Sequence, residues 1–302
     1  MSEEILINIT PMESRVAVVE NGVLQEVHVE CTQRRGIVGN IYKGKVVRVL
    51  PGMQAAFVDI GLERNAFLHI NDLYPLLDKE QEKLWQENRL SVQEIIRPGQ
   101  EIMVQIIKES IGSKGPKASC KISIPGRYFV LLPYDNKINI SRKILATEER
   151  DRLKKISRDL LGDKYGVIIR TNAMDRGSGE LKKDLDYLIH IWDTIQEDYQ
   201  ASKAPALIYT HADLIMQLVR DYVSLDLEKL VVDSEKDYEY IINLLERVAP
   251  DLKSRIFLYE REIPIFVNYN IEKELARALN RKVWLNSGGY IIIDKTEALV
   301  SI

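Results

Sequence analysis

GNIYKGKVVRVLPGMQAAFVDIGLERNAFLHINDL, residues 39–73, decides how the chain is read. Short runs of Val, Ile, Ala and Phe alternate with breaks that contain glycine, the texture of short strands joined by tight turns. The texture returns in PGQEIMVQIIKESIGSKGPKASCKI, residues 98–122. About five such strands within residues 36–121 suit a small barrel of the OB-fold kind. Between the two stretches lies LLDKEQEKLWQENRLSVQEIIR (76–97), polar and helix-prone, which is expected to be a surface excursion outside the barrel.

Upstream, EILINIT, RVAVVE and VLQEVHVE alternate apolar and polar residues, and Asn21-Gly22 separates the last two. Asn-Gly suits a turn with two positive φ angles, so residues 4–30 are expected to form a three-stranded meander. Downstream, PGRYFVLLP and KINISRKI are strand-like. In TEERDRLKKISRDLL, Leu153, Ile156 and Leu160 fall at helical spacing, and after the strand GVIIRTN a second helix carries Leu181, Leu185, Leu188, Trp192 and Ile195. Beyond a linker-like 201–205, helices are expected over 211–223 and 234–248 around the strand EKLVVDS, with Ser234 as N-cap. LKSRIFLYE reads as a strand and IEKELARALN as a helix. At the end, Tyr290–Ile293 and Ala298–Ile302 are expected to pair as a hairpin, an open apolar strand pair that is either an edge of what precedes it or a piece of something longer.

The chain has 302 residues, 45% hydrophobic and 29% charged, with a formal charge of −3, as an ordinary globular multi-domain protein has. That charge excludes a uniformly basic surface but permits a local basic patch. Its two cysteines, Cys31 and Cys120, have no CxxC spacing, which points away from a disulfide framework and toward a reducing cytoplasm. The acidic start MSEEILINIT and the lack of a long apolar run predict neither export nor a membrane span.

The residues that carry chemistry point to a polyanion. Phe57 and Phe67 stand in AAFVDIG and NAFLHI, with Lys43, Lys45, Arg48 and Arg64 nearby. Exposed aromatics stack on bases and flanking cations meet phosphates, although periodicity alone favours two phenylalanines filling a core. The loop 108–121 carries Lys108, Lys114, Lys117 and Lys121 against Glu109, either an RNA-contacting loop or a plain solvated one. Arg127, Lys137, Arg142 and Lys143 follow, and Arg170-Thr171 ends a strand where a guanidinium and a hydroxyl suit a terminal phosphate. No catalytic constellation stands out. His28, His69, His190 and His211 are scattered, and Asp233, Asp237 and Asp294 have no recognisable ligand spacing.

At RRGIVGNIYKGKVVRVLPGMQAAFVDIGLERNAFLH (34–69) the chain closely resembles the ribonuclease E/G family of bacterial endoribonucleases. INITPMESRVAVVENGVLQEVHVE before it and KVWLNSGGYIIIDKTEALVSI after it extend the likeness over essentially the whole chain, nearest to the G branch. Cys31 departs from the pattern, which carries an arginine there. The resemblance implies an α+β multi-domain fold: an RNase H-like subdomain (1–35 and 216–280) without its namesake's active site, interrupted by an S1-type OB fold (36–121) and a 5′-sensor region (122–215). A DNase I-like catalytic domain would begin at 281–302.

It further implies that Phe57, Phe67, Lys108 and Lys114 grip single-stranded RNA, and that Gly126, Val130, Arg142, Arg170 and Thr171 recognise a 5′-monophosphate. The family's Mg²⁺-holding aspartates, and the cysteines that link its protomers through Zn²⁺ into homo-oligomers, are expected beyond Ile302. Residues 1–302 are therefore expected to bind RNA, such as rRNA precursors and mRNA, without cutting it. A natural non-catalytic RNA-binding module and a scaffold protein are the rival readings.

Overall fold

The computed structural model describes residues 3–302 except 32–35, 78, 88, 111–113, 163, 212–213, 222–226, 249, 286 and 297–298. In chain order the strands are β1 (Glu3–Ile9), β2 (Glu13–Glu20), β3 (Val23–Cys31), β4 (Ile41–Leu50), β5 (Ala55–Asp59), β6 (Ala66–His69), β7 (Glu101–Lys108) and β8 (Lys117–Ser119). There follow β9 (Ile124–Pro125), β10 (Phe129–Leu132), β11 (Ile138–Ile140), β12 (Gly166–Ile169), β13 (Ala206–Tyr209), β14 (Leu227–Val232) and β15 (Ile256–Leu258). The helices are α1 (Lys79–Gln86), α2 (Val92–Ile95), α3 (Thr147–Leu161), α4 (Ser178–Ala201), α5 (Leu214–Asp221), α6 (Glu235–Val248), α7 (Ile265–Asn268) and α8 (Ile271–Ala278). They divide into two compact units, residues 1–35 with 213–302, and residues 36–212.

In the first unit one sheet runs β15-β14-β1-β2-β3. The meander β1–β2–β3 is antiparallel, and Asn21 and Gly22 both have positive φ, 50° and 76°, as the Asn-Gly signal demands. β14 then joins β1 in parallel, and β15 joins β14 in parallel. Central β1 is covered on both faces, so it reads as a continuous apolar run. Ile5 and Ile7 pack with Ile215, Leu218, Ile241 and Leu245 on one face, and Leu6 packs with Ile265, Phe266 and Ile271 on the other.

The expected C-terminal hairpin takes a different course. Tyr290–Ile292 pairs back onto Lys282–Trp284, and Asp294–Lys295 pairs with Val300–Ser301. Two short hairpins replace one because the turn at 285–289 is closed by Leu285 N–H to Gly289 O and Gly288 N–H to Leu285 O, while Lys282 Nζ lies over the Trp284 and Tyr290 rings, 4.1 and 3.8 Å from their centroids. Residues 297 and 298 of the expected turn and strand lie outside the described residues.

In the second unit β4–β5–β6–β8–β7 close on themselves through β4–β7, a five-stranded barrel with β6–β8 parallel. Gly44 is required there, since a Cβ would come within 2.4 Å of Val58 Cγ1 where β4 bends across the barrel. One expectation fails. The end of the stretch 76–97 is no surface excursion, because Val92 on α2 and Ile96 just after it (0% and 1% exposed) enter the barrel core beside Val46, Leu68 and Ile102. Residues 206–209, to which the sequence assigned no element, form β13 along the first half of β4. The insert that follows the barrel has a sheet ordered β11-β12-β10-β9, packed on α3 and α4. All five apolar residues expected on α4, Leu181 to Ile195, are buried in its core.

Candidate functional site

Two groups of residues stand out, both in the unit 36–212. The first is on the barrel wall. β5 and β6 turn Ala56, Val58, Ala66 and Leu68 into the barrel, so the strand alternation turns Phe57, Phe67 and His69 outward. Phe57 and Phe67 lie directly opposite in register, with ring centroids 6.1 Å apart at 67°. Both are half-buried and neither belongs to a core cluster, which overturns the core-filling reading that periodicity favours.

Cations frame this pair. An irregularity between Val46 and Arg48 sets exposed Arg48 opposite Phe57. On the other side Lys117 is opposite Phe67 and pairs with Asp72 at 3.1 Å. The chain at Gly115 runs flush against Asn65, where a Cβ would meet the carbonyl oxygen at 2.1 Å, and this brings exposed Lys114 beside the start of β6. Lys108, exposed at the end of β7, is opposite Lys117 in the ladder; residues 111–113 of the same basic loop lie outside the described residues. Lys43 does not contribute to this surface. Its Nζ is turned onto the end of α4, donating to Tyr199 O (3.0 Å) and Ser202 O (2.8 Å) and pairing with Glu101 at 3.2 Å.

The second group is at one end of the insert's sheet. β11 and β12 are parallel, with Ile140 opposite Ile169, and Ser141 N–H donates to Ile169 O at 2.9 Å. Arg142, and Arg170 with Thr171, therefore follow the ends of adjacent strands. The Arg170 guanidinium donates from Nη1 to Gly126 O at 2.7 Å, and its backbone N–H to Tyr128 O at 2.8 Å. Gly126 must be glycine, since a Cβ would come within 2.8 Å of Asp184 Oδ2 and Leu188 Cδ1. Val130 lies on the half-exposed face of β10, opposite Ile168 on β12 and Pro125 on β9. Arg142 is exposed, and Arg170 and Thr171 are part-buried. Gly126, Arg170 and Thr171 are brought together by direct bonds and chain adjacency, Arg142 by strand pairing alone.

Sequence reasoning missed Asp184, whose carboxylate receives the backbone N–H groups of Arg127, Tyr128 and Phe129 at 3.0, 2.9 and 3.1 Å. No local signal announces a contact made across more than fifty positions. Burial raises its pKa above the ordinary aspartate value, against the lowering effect of these three donors and of Arg127.

The aspartates weighed as metal ligands are engaged separately. Asp233 accepts from Asn8 Nδ2 (2.6 Å) and Ile9 N–H (2.8 Å), Asp237 from Ser234 Oγ (2.5 Å), and Asp294 from Arg281 (2.6 and 3.0 Å). Among the described residues no three His, Cys, Asp or Glu side chains are grouped to hold a metal ion. Nor, among them, is any helix long and apolar enough to cross a membrane.

The S1 RNA binding domain model matches residues 37–121, and the Ribonuclease E/G family model matches residues 123–302. Ribonuclease G of Escherichia coli strain K12 is 41% identical over 305 aligned residues, covering 100% of this chain and 62% of the relative. Ribonuclease G of Haemophilus influenzae is 39% identical, covering 99% of this chain and 61% of the relative, and ribonuclease E of that organism is 36% identical, covering 99% and 32%. The chain thus spans about three fifths of the length of its ribonuclease G relatives. With its barrel matched as an S1 domain and residues 123–302 matched to the family's own model, this chain belongs to the ribonuclease E/G family.

Proposed function

We propose that this chain is the RNA-binding part of a Mg²⁺-dependent endoribonuclease of the ribonuclease G type, which acts in the cytoplasm on single-stranded RNA in rRNA maturation and mRNA decay. The barrel wall holds the strand, with Phe57 and Phe67 stacking on bases and Arg48, Lys108 and Lys114 near phosphates. The end of the insert's sheet reads the 5′ terminus. There a phosphate monoester would meet the Arg170 guanidinium, the Thr171 hydroxyl and Arg142, donors that suit its oxygens and charge, with Gly126 and Val130 forming the wall beside them. A 5′-hydroxyl offers one oxygen and no charge.

The observation that carries this reading is the bond from Arg170 Nη1 to Gly126 O, which fixes a guanidinium beside Thr171 at a strand end shared with Arg142. The order of the first unit's sheet, an antiparallel meander flanked by two parallel strands, supports the RNase H-like subdomain, built from residues 1–35 and 216–280. Residues 36–121 would be the S1 domain, 122–215 the 5′ sensor, and 281–302 the start of a DNase I-like domain. Residues 1–302 by themselves bind RNA without cleaving it, since the resemblance puts the family's magnesium-holding aspartates and its zinc-linked oligomer contacts outside them.

The test is binding and cleavage of one short single-stranded RNA, carrying either a 5′-monophosphate or a 5′-hydroxyl, with Mg²⁺ present. Tighter binding of the monophosphate form without cleavage is expected. Equal binding of both forms removes the 5′-sensing role, and cleavage that survives repurification overturns the non-cleaving role.

A further inference from the structure

We propose that Asp184 is a positioning residue of the 5′-phosphate site: its carboxylate, by gripping three consecutive backbone amides of the turn 126–129, sets where the Arg170 guanidinium stands. The proposal rests on the 5′-sensing role given above and extends it to a residue that acts only through the turn it holds.

The turn between β9 and β10 has two sets of bonds. Outward, its Gly126 and Tyr128 carbonyls hold the side chain and the backbone of Arg170. Inward, its Arg127, Tyr128 and Phe129 amides all point at Asp184, one oxygen taking Arg127 and the other taking Tyr128 and Phe129. A peptide plane tilts as a unit, so fixing an amide fixes the carbonyl on the same plane. The Arg127 amide shares its plane with the Gly126 carbonyl, and the Phe129 amide with the Tyr128 carbonyl. Both carbonyls that orient Arg170 are thus set by bonds to Asp184.

The carboxylate is itself held firmly. Asp184 is on α4 between Leu181, Leu185 and Leu188, all buried in the insert's core, and Gly126 leaves no room for the turn to shift toward it. Three aligned amides would otherwise form an anion-binding concavity competing with Arg170 for the phosphate. Asp184 fills that concavity from within, and leaves the guanidinium and Thr171 as the place for the ligand's charge.

The test compares the affinity of 5′-monophosphate and 5′-hydroxyl RNA in the full 302-residue chain and in Asp184→Asn, Arg170→Ala and the double variant. Asp184→Asn keeps the shape but offers one acceptor oxygen to three amides. It is expected to reduce the monophosphate preference about tenfold, the scale of one lost charge-assisted hydrogen bond, while leaving affinity for the 5′-hydroxyl RNA unchanged. Because Asp184 acts through Arg170, the double variant should be no worse than Arg170→Ala alone. Asp184→Glu, which keeps the charge but displaces it by a methylene, should fold and lose part of the preference. Full preference in folded Asp184→Asn or Asp184→Glu, or additive losses in the double variant, overturns the proposal alone. A wild-type chain without preference overturns the 5′-sensing role as well.

Discussion

Phe57 and Phe67 show what a sequence withholds at the scale of a residue. Strand alternation sets each ring opposite its immediate neighbours but does not say which side is the barrel interior, because alanines at 56 and 66 give the opposite face no stronger apolar signal. Only the placement of Ala56, Val58, Ala66 and Leu68 inside turns the rings outward. Replacing either ring by alanine should therefore weaken single-stranded RNA binding by about 1–3 kcal/mol, the worth of one stacked base. Thermal unfolding should change far less than the ~3–5 kcal/mol that emptying a core phenylalanine site costs. A destabilised variant with undiminished RNA affinity would return both rings to a structural role. Arg170→Ala is expected to abolish the monophosphate preference and leave general binding intact, since Phe57 and Lys114 belong to a different wall of the unit. A binding titration with both RNA forms checks it. Asp184 adds a pH signature. Its folded pKa is raised, so the folded state holds that proton to higher pH than the unfolded chain, and the associated stability is present in acid and lost as pH rises through the folded value. The stability of the wild type relative to Asp184→Asn should fall as pH rises across the carboxylate range, as denaturation at several pH values can measure. A rise would contradict the sign.

At the scale of elements, strong periodicity was enough and composition misled. α4 is legible because Leu181, Leu185, Leu188, Trp192 and Ile195 mark one stripe through a polar sequence. α2 is not, because Val92, Ile95 and Ile96 make only one turn of apolar spacing in a polar stretch, and their burial depends on the barrel core they pack against. Ile96→Ala is expected to destabilise the unit 36–212 by about 2–4 kcal/mol, as deletion of a buried isoleucine side chain does. Glu80→Ala, at the exposed start of α1, should stay within about 0.5 kcal/mol. Chemical denaturation of the two variants separates a plug from an excursion, and equal small effects would favour the excursion. β13 escaped notice for a related reason: four residues after a proline carry no period, and their strand conformation is imposed by the free edge of β4. The terminal hairpins went astray because several apolar runs of similar propensity compete for the same partners, and propensity cannot choose between them.

At the scale of the molecule, the chain order conceals one unit and reveals the other. The meander of residues 3–31 is legible from alternation and Asn21-Gly22, but its role as part of a five-stranded sheet depends on β14 and β15, more than two hundred positions away. Residues 36–212, by contrast, are continuous, hold two apolar cores of their own, and include every residue proposed to touch RNA. Lys43 ties those cores together, bonding the barrel strand β4 to the last carbonyls of α4, where a cation also complements the helix dipole. Residues 36–212 expressed alone should thus unfold in one cooperative transition and keep the preference for 5′-monophosphate RNA. Residues 1–35 alone should remain unfolded, because Ile5, Leu6 and Ile7 then lack both helical layers that bury them. If the isolated 36–212 piece folds but shows no preference, the 5′ end must be read with help from residues outside it, and the placement of the sensor wholly within that unit fails.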